Sequence, residues 1–153
     1  MKLATLAIQT EAWLQEELCA QRALHEALAR TERAARTEHA DLGSCEPALR
    51  ALLAQAAPRE VRRRALLARL ASVLALPVAQ VTLSRVATAV DAGGLDGSRL
   101  HGLRVELREV VAGVVRVARR LSVLARAHRE LFDELCTALS AAGNGAAMVD
   151  AEA

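Results

Sequence analysis

The sequence predicts an all-α chain, an elongated bundle of three long helices plus one short helix. Three observations predict it. From Leu100 to Ala138 a repeat of apolar residues runs through Leu100, Leu103, Leu107, Val110, Val114, Val117, Leu121, Leu124, Leu131, Leu135 and Ala138, interrupted once by His128. A spacing of alternating threes and fours averages about 3.5 residues, close to one α-helical turn, so these positions fall on one stripe of a single helix. Ala and Leu, both strong helix formers, dominate the 53% hydrophobic content. Three prolines and a scarcity of β-branched alternation leave no run suited to a sheet.

The elements follow in chain order. A first helix is expected from Leu3 to Ala40, with Leu3, Ala7, Leu14, Leu18, Leu24 and Leu28 on one side. Beyond Leu28 the stripe thins to Ala35 among charges. Glu26–Arg30 and Glu32–Arg36 are four-residue pairs worth roughly 0.2–0.5 kcal/mol each, so the distal half reads as solvated and weakly packed. Asp41-Leu42-Gly43-Ser44 reads as a turn, with Ser44 as the N-cap of a second helix, Glu46 at its positive end and Pro47 in its first turn. That helix reaches Ala57, where Pro58 must kink or break it. Leu49, Leu53 and Ala56 stay in phase with Leu67, Leu70 and Leu74, which favours a bend, and Leu76-Pro77 closes the element. Thr82 reads as the cap of a short helix, Leu83 to Val90, followed by a flexible link, Asp91-Ala92-Gly93-Gly94. The last helix starts at Asp96 or Ser98 and is expected to end near Ala142, so that 1–142 form the bundle and 143–153 a tail opened by Gly143-Asn144-Gly145.

Composition excludes several function classes. One Trp, one Phe and no Tyr argue against an aromatic-walled ligand pocket and against base stacking on single-stranded nucleic acid. The net charge of +2 is unevenly spread: residues 50–85 hold seven arginines against Glu60, and residues 99–129 eight against Glu106 and Glu109. Lys2 is the sole lysine, a bias that a GC-rich genome produces by itself, so it is not read as nucleic-acid affinity. Cys19, Cys45 and Cys136 are odd in number and far apart, as expected of reduced, partly buried cytosolic thiols. Gln9, Thr10 and Glu11 end any apolar run near the N-terminus, and no uncharged stretch reaches the roughly 20 residues that span a bilayer, so a soluble, cytoplasmic protein is expected. His25, His39, His101, His128 and the cysteines show no helical ligand spacing. With no nucleophile–base set, carboxylate pair or phosphate loop, neither an enzyme nor a cofactor is expected.

The last helix carries the functional argument. Beside its first seam runs a second: Val111, Ala118, Ala125, Phe132 and Leu139. One seam suits a two-stranded coiled coil. Two adjoining seams need two neighbouring helices, or one helix and a partner. Either the first two helices cover both, or a homodimer or a bound protein covers the excess. Within the seam, His128 either fixes register and tunes release with pH or is a half-exposed histidine, and His25 on the first helix poses the same choice. Gly113 reads as a place where a neighbouring helix backbone comes close. The run Arg59 to Arg64 is either a solvated face or a surface for an acidic partner or nucleic acid. Arg116, Arg119, Arg120, Arg126 and Arg129 either frame a groove or are ordinary flanking charges.

Leu70-Ala71-Ser72-Val73-Leu74-Ala75-Leu76-Pro77 followed by Val81-Thr82-Leu83-Ser84 resembles the Leu-x-Leu-Pro … Thr-Leu-Ser-Glu-Leu segment of the FlgN-type flagellar export chaperones. The stretch Leu121-Ser122-Val123-Leu124 through Leu131-Phe132-Asp133-Glu134-Leu135 sits where that family has its leucine-rich last helix. The chain departs from the pattern at Ala125 and His128, where the family often has an Asn pair, at Arg85, where it has Glu, and in lacking the Tyr with which some members dock on the export gate. The resemblance implies a cytosolic chaperone that holds hook-associated proteins before flagellar type III export and delivers them to the export gate. Its client contacts would be Val117, Leu121, Leu124, His128, Leu131, Phe132 and Leu135, with no nucleic acid, membrane insertion or cofactor involved. Phe132 is either a contact hot spot or a core residue. Two rival readings are a dimerising coiled-coil protein without a client and an Arg-rich protein associated with nucleic acid.

Overall fold

The computed structural model describes the backbone of residues 2–37 and 42–150, with side chains over 3–37 and 43–137. Among the described residues every regular element is helical. In order they are α1 (Lys2–Ala35), a 3-10 turn (Leu42–Ser44), α2 (Glu46–Ala54), α3 (Ala56–Leu74), a 3-10 turn (Val78–Gln80), α4 (Leu83–Ala92) and α5 (Ser98–Asp150). The chain divides into two compact units, Met1–Val117 and Ala118–Ala153. The first holds α1 to α4 and the start of α5; the second is built on the remainder of α5.

In the first unit α1 buries Leu6, Thr10, Leu14, Leu18, Ala27 and Glu32. Leu14 and Leu18 belong to the expected stripe, whereas Leu3, Ala7, Leu24 and Leu28 are only half-buried. The buried line is therefore turned toward Leu6 and Thr10. An apolar count passes over Thr10, but its hydroxyl donates to the Leu6 carbonyl at 2.7 Å, which satisfies the polar atom and lets the side chain enter the core. The distal half is better packed than expected, since Ala27 and Glu32 are buried. Glu32 does accept from Arg36 at 2.7 Å, in the expected four-residue pair. α1 ends at Ala35 rather than Ala40, because the amides of Arg36 and Thr37 turn back onto the carbonyls of Arg33 and Ala34 at 3.2 and 3.0 Å. The rest of the expected end, residues 38–40, and Asp41 of the expected turn lie outside the described residues.

The second expected helix is two helices. Cys45, not Ser44, occupies the N-cap of α2, and it makes no side-chain capping bond. Pro58 lacks the N–H that would reach Ala54, and its ring would collide with that carbonyl, so α2 stops at Ala54 and α3 begins at Ala56. The intervening Gln55 keeps α-helical dihedrals of −79° and −7°, which makes the interruption a one-residue joint between a bend and a break. α3 ends as its sequence demands. Ala75 adopts the left-handed conformation (φ 52°, ψ 41°), the amides of Ala75 and Leu76 both return to Ala71, and Pro77 prevents continuation. Thr82 caps α4 by accepting from the Arg85 amide at 3.3 Å.

The link after α4 is folded tightly rather than flexible. Asp91 accepts from the Gly97 amide at 2.8 Å, and Leu95 bonds back to Val90 at 3.1 Å. A Cβ on Gly97 would lie 2.6 Å from the Ala87 carbonyl oxygen, so only glycine lets the chain pass this close to α4. Asp96 then accepts from the Ser98 amide at 2.9 Å as α5 opens. Hydrogen bonding to Ser98 lowers the pKa of Asp96 and favours its charged form at this positive helix end. α5 does not end near Ala142; it continues through Gly143 and Gly145 to Asp150. No proline follows Pro77, and the alanines around those glycines offset their propensity cost of about 1 kcal/mol each.

Leu6, Leu14, Leu70, Ala71, Val81, Val86, Ala87, Val90 and Leu100 form the core cluster, drawn from α1, α3, α4, the segment before α4 and the start of α5. Ion pairs fix the helix directions. Glu16–Arg62 at 3.1 Å and Glu17–Arg59 at 3.3 Å run α3 antiparallel to α1. Glu11–Arg99 at 2.6 Å, Arg22–Glu106 and the contact of His25 with Gly113 run α5 parallel to α1. Gly113 thus makes room for the His25 ring rather than for a helix backbone.

Two pairs of variants test this packing. Leu14→Ala and Leu70→Ala should each lower unfolding stability by about 2–5 kcal/mol in denaturant titrations, because both side chains are fully enclosed. Gly97→Ala should destabilise by about 1–3 kcal/mol, since its clash is with backbone. Gly113→Ala should stay within about 1 kcal/mol of the parent, since the opposing atoms, 3.1 Å away, belong to a movable imidazole.

Candidate partner-binding face

The long seam divides along its length. Leu100 and Val117 are buried, and Leu103, Leu107, Val110 and Val114 are half-buried, so in the first unit this stripe is taken up by packing. The second stripe is not covered there: Val111 is exposed. In the second unit Leu121 and Leu124 are half-buried, and from Ala125 to Thr137 every side chain is exposed. Leu131, Phe132 and Leu135 show 58, 66 and 61% of their surface to solvent. Placed at about 100° per residue, Leu121, Leu124, Ala125, His128, Leu131, Phe132 and Leu135 share one side of α5.

This separates the predicted contact residues. Val117, at 4% exposure, is a packing residue of the first unit, because the same periodicity that placed it on the seam turns it inward. Leu121, Leu124, His128, Leu131, Phe132 and Leu135 remain together on the open side. Phe132 does not fill a core. His128 is exposed. Arg116, Arg119, Arg126 and Arg129 are also exposed, and beyond them come the exposed acids Glu130, Asp133 and Glu134. The basic-to-acidic order along this helix is legible in the sequence once Arg and acids are read in position rather than counted.

The other arginine-rich stretch is spoken for. Arg59 and Arg62 pair with Glu17 and Glu16 of α1. Arg63 donates to Glu60 through Nε and a terminal nitrogen at 2.6 and 2.8 Å, and Arg64 donates to the same carboxylate at 2.7 Å. Four guanidiniums thus meet three carboxylates, leaving little unbalanced charge for a phosphate backbone. Beside them lies a cleft of about 390 Å³ lined by Trp13, Glu17, Gln21, Arg59, Glu60 and Leu107 among others. The Trp13 indole N–H is buried without a partner, but the cleft's Arg59 and Arg63 already face Glu17 and Glu60.

Cys45 is half-buried, but Cys19 and Cys136 are exposed rather than partly buried as expected. Among the described residues no group of three or more His, Cys, Asp or Glu side chains is placed to hold a metal ion. No helix among them is long and apolar enough to cross a membrane. No family model, curated protein or solved structure matches the chain.

The forked bonds from Arg63, then Arg64, hold the Glu60 carboxyl down from 4.5 to about 2. A lowered folded pKa gives stability that is present above pH 4.5 and lost as pH falls through about 2. All three side chains are solvent-accessible, so the effect on stability should be small and salt-sensitive. Carbon-detected NMR should place the Glu60 midpoint near 2, and Arg63→Gln/Arg64→Gln should return it toward 4.5.

Proposed function

We propose that this protein is a cytoplasmic chaperone of flagellar type III export, holding the terminal amphipathic helices of hook-associated proteins on the open face of α5. The observation that carries the reading is the outward placement of Leu131, Phe132 and Leu135 on a continuous helix. Such side chains offer a partner helix a ready apolar stripe, the helix-in-groove mode, in which anchors at i, i+3, i+4 and i+7 interlock. Leu121, Leu124 and His128 extend the stripe toward the first unit. The resemblance of Leu70–Pro77 and Val81–Ser84 to the FlgN-type segment supports the same reading.

In this mechanism the chaperone does no chemistry. Clients whose terminal helices assemble with one another after export need those helices masked beforehand, and burial of apolar surface supplies the masking free energy, about 25 cal/mol per Å² removed from water. Exchange at the export gate then requires only a surface that binds the helix more favourably.

Calorimetric titration with a synthetic terminal helix of a hook-associated protein tests the proposal. A one-to-one complex is expected, and Phe132→Ala should weaken it at least tenfold, the scale of an aromatic hot spot. Because Phe132 is exposed in the free protein, its removal should leave the thermal melt unchanged. Absence of binding, or a Phe132→Ala variant with full affinity, overturns the assignment.

A further inference from the structure

His128 stands at the middle of the open side of α5. Placed at about 100° per residue, that side spans roughly 120°, from Leu131 at one edge to Ala125 at the other, with His128 halfway between. Its neighbours three and four positions away are Leu124, Ala125, Leu131 and Phe132, and Leu121 and Leu135 lie a further turn out. None of these side chains gives or takes a hydrogen bond.

The polar groups of the same stretch are turned elsewhere. Glu130, Asp133 and Glu134 lie roughly 120–160° around the helix from His128, and Arg126 and Arg129 roughly 100–160°. Ser122 is about 120° away and more than a turn back. On its own side of α5, therefore, no side chain can partner the imidazole. The ring is exposed, so solvent satisfies it in the free protein. An opposing helix takes water first from the middle of the stripe, the part farthest from both edges. In every protonation state the imidazole keeps at least one N–H, and an enclosed N–H without an acceptor is costly. Since α5 cannot supply the acceptor, the occupant has to.

We infer that, given the client reading on which this rests, the helix held on α5 carries one carboxamide or carboxylate side chain within its own apolar stripe and seats it opposite His128. A helix with an unbroken aliphatic stripe would match the leucines and Phe132 but strand the imidazole. The histidine thus selects among amphipathic helices, favouring an interrupted stripe over a uniformly apolar one.

Calorimetric titration of the full chain with two synthetic amphipathic peptides tests this. The peptides share one leucine stripe and differ only at its central position, glutamine in one and leucine in the other. Glutamine is the probe because its carboxamide can answer both the donor and the acceptor of a neutral imidazole. The readout is the ratio of the two affinities, which cancels the greater general stickiness of the leucine peptide. His128→Leu and, separately, His128→Ala should each shift that ratio at least tenfold toward the leucine peptide. The second variant adds little apolar surface, so its shift reports loss of the imidazole alone. Because His128 is exposed, both variants should keep the parent's helicity by circular dichroism.

A ratio that moves less than tenfold in either variant, or a parent that does not bind the glutamine peptide, overturns the inference. If the terminal helix of a hook-associated protein still binds in that case, the chaperone reading stands without it. If that helix fails to bind while the ratio shifts as expected, the chaperone reading falls and the selection by His128 remains.

Discussion

The first unit depends on one shared wall. α1 is the helix against which α2, α3 and α4 all pack, and it also carries Glu11, Arg22 and His25, which meet Arg99, Glu106 and Gly113 of α5. Those three contacts advance in step along both helices, so α1 and α5 run parallel. Parallel neighbours cannot be joined by a short turn. The chain must travel back between them, which α2 and α3 do, and it must turn a corner, which α4 does. The core collects at that corner, where Val86, Val90 and Leu100 close over Leu14 and Leu70.

The shared wall also explains the fate of the arginines. Residues 50–85 are strongly basic when read alone, yet α3 lies against the acidic side of α1, where Glu16 and Glu17 balance two of the guanidiniums. Glu60 holds two more within α3 itself. The charge that would have marked an anion-binding surface is largely consumed in holding helices together. On the second unit the order differs. Arg126 and Arg129 stand exposed four residues before the exposed Glu130 and Asp133, so these charges are spaced to be matched along the helix itself.

What was legible in the sequence was what local chemistry decides. Pro77 and the amides returning to Ala71 end α3, Thr82 starts α4, and Pro58 interrupts its helix one turn upstream, each through bonds within a few residues. The 3–4 repeat likewise located α5 and the side on which its apolar residues gather. Four features were not legible, two through local bonds that an apolar count passes over and two through packing that the repeat alone does not specify. Thr10 enters the core by donating to the Leu6 carbonyl, Gly113 answers an imidazole on α1, the Asp91–Gly97 link is pinned by a carboxylate, and Val117 turns inward at the limit of the first unit. Gly143 and Gly145 misled in the other direction. Glycine lowers helix propensity without forbidding the helix, whereas proline forbids it, and only the first residue type occurs beyond Pro77.

The single polar residue in the seam bears on how firmly such a face can hold anything. A leucine at position 128 would complete the stripe from Leu121 to Leu135 and add roughly the 1.5–3 kcal/mol of a fully buried aliphatic side chain to any pairing. Histidine there must instead be dehydrated on binding, and its ring nitrogens need partners or water at the interface. That lowers affinity and also penalises misaligned registers, because sliding the seam by one heptad sets the imidazole against a different layer of leucines. A face used for temporary cover benefits from both effects: binding that can be exchanged, and one alignment preferred over its neighbours. Release of a bound helix therefore turns on whether a competing surface better satisfies its needs than the imidazole and Phe132 do.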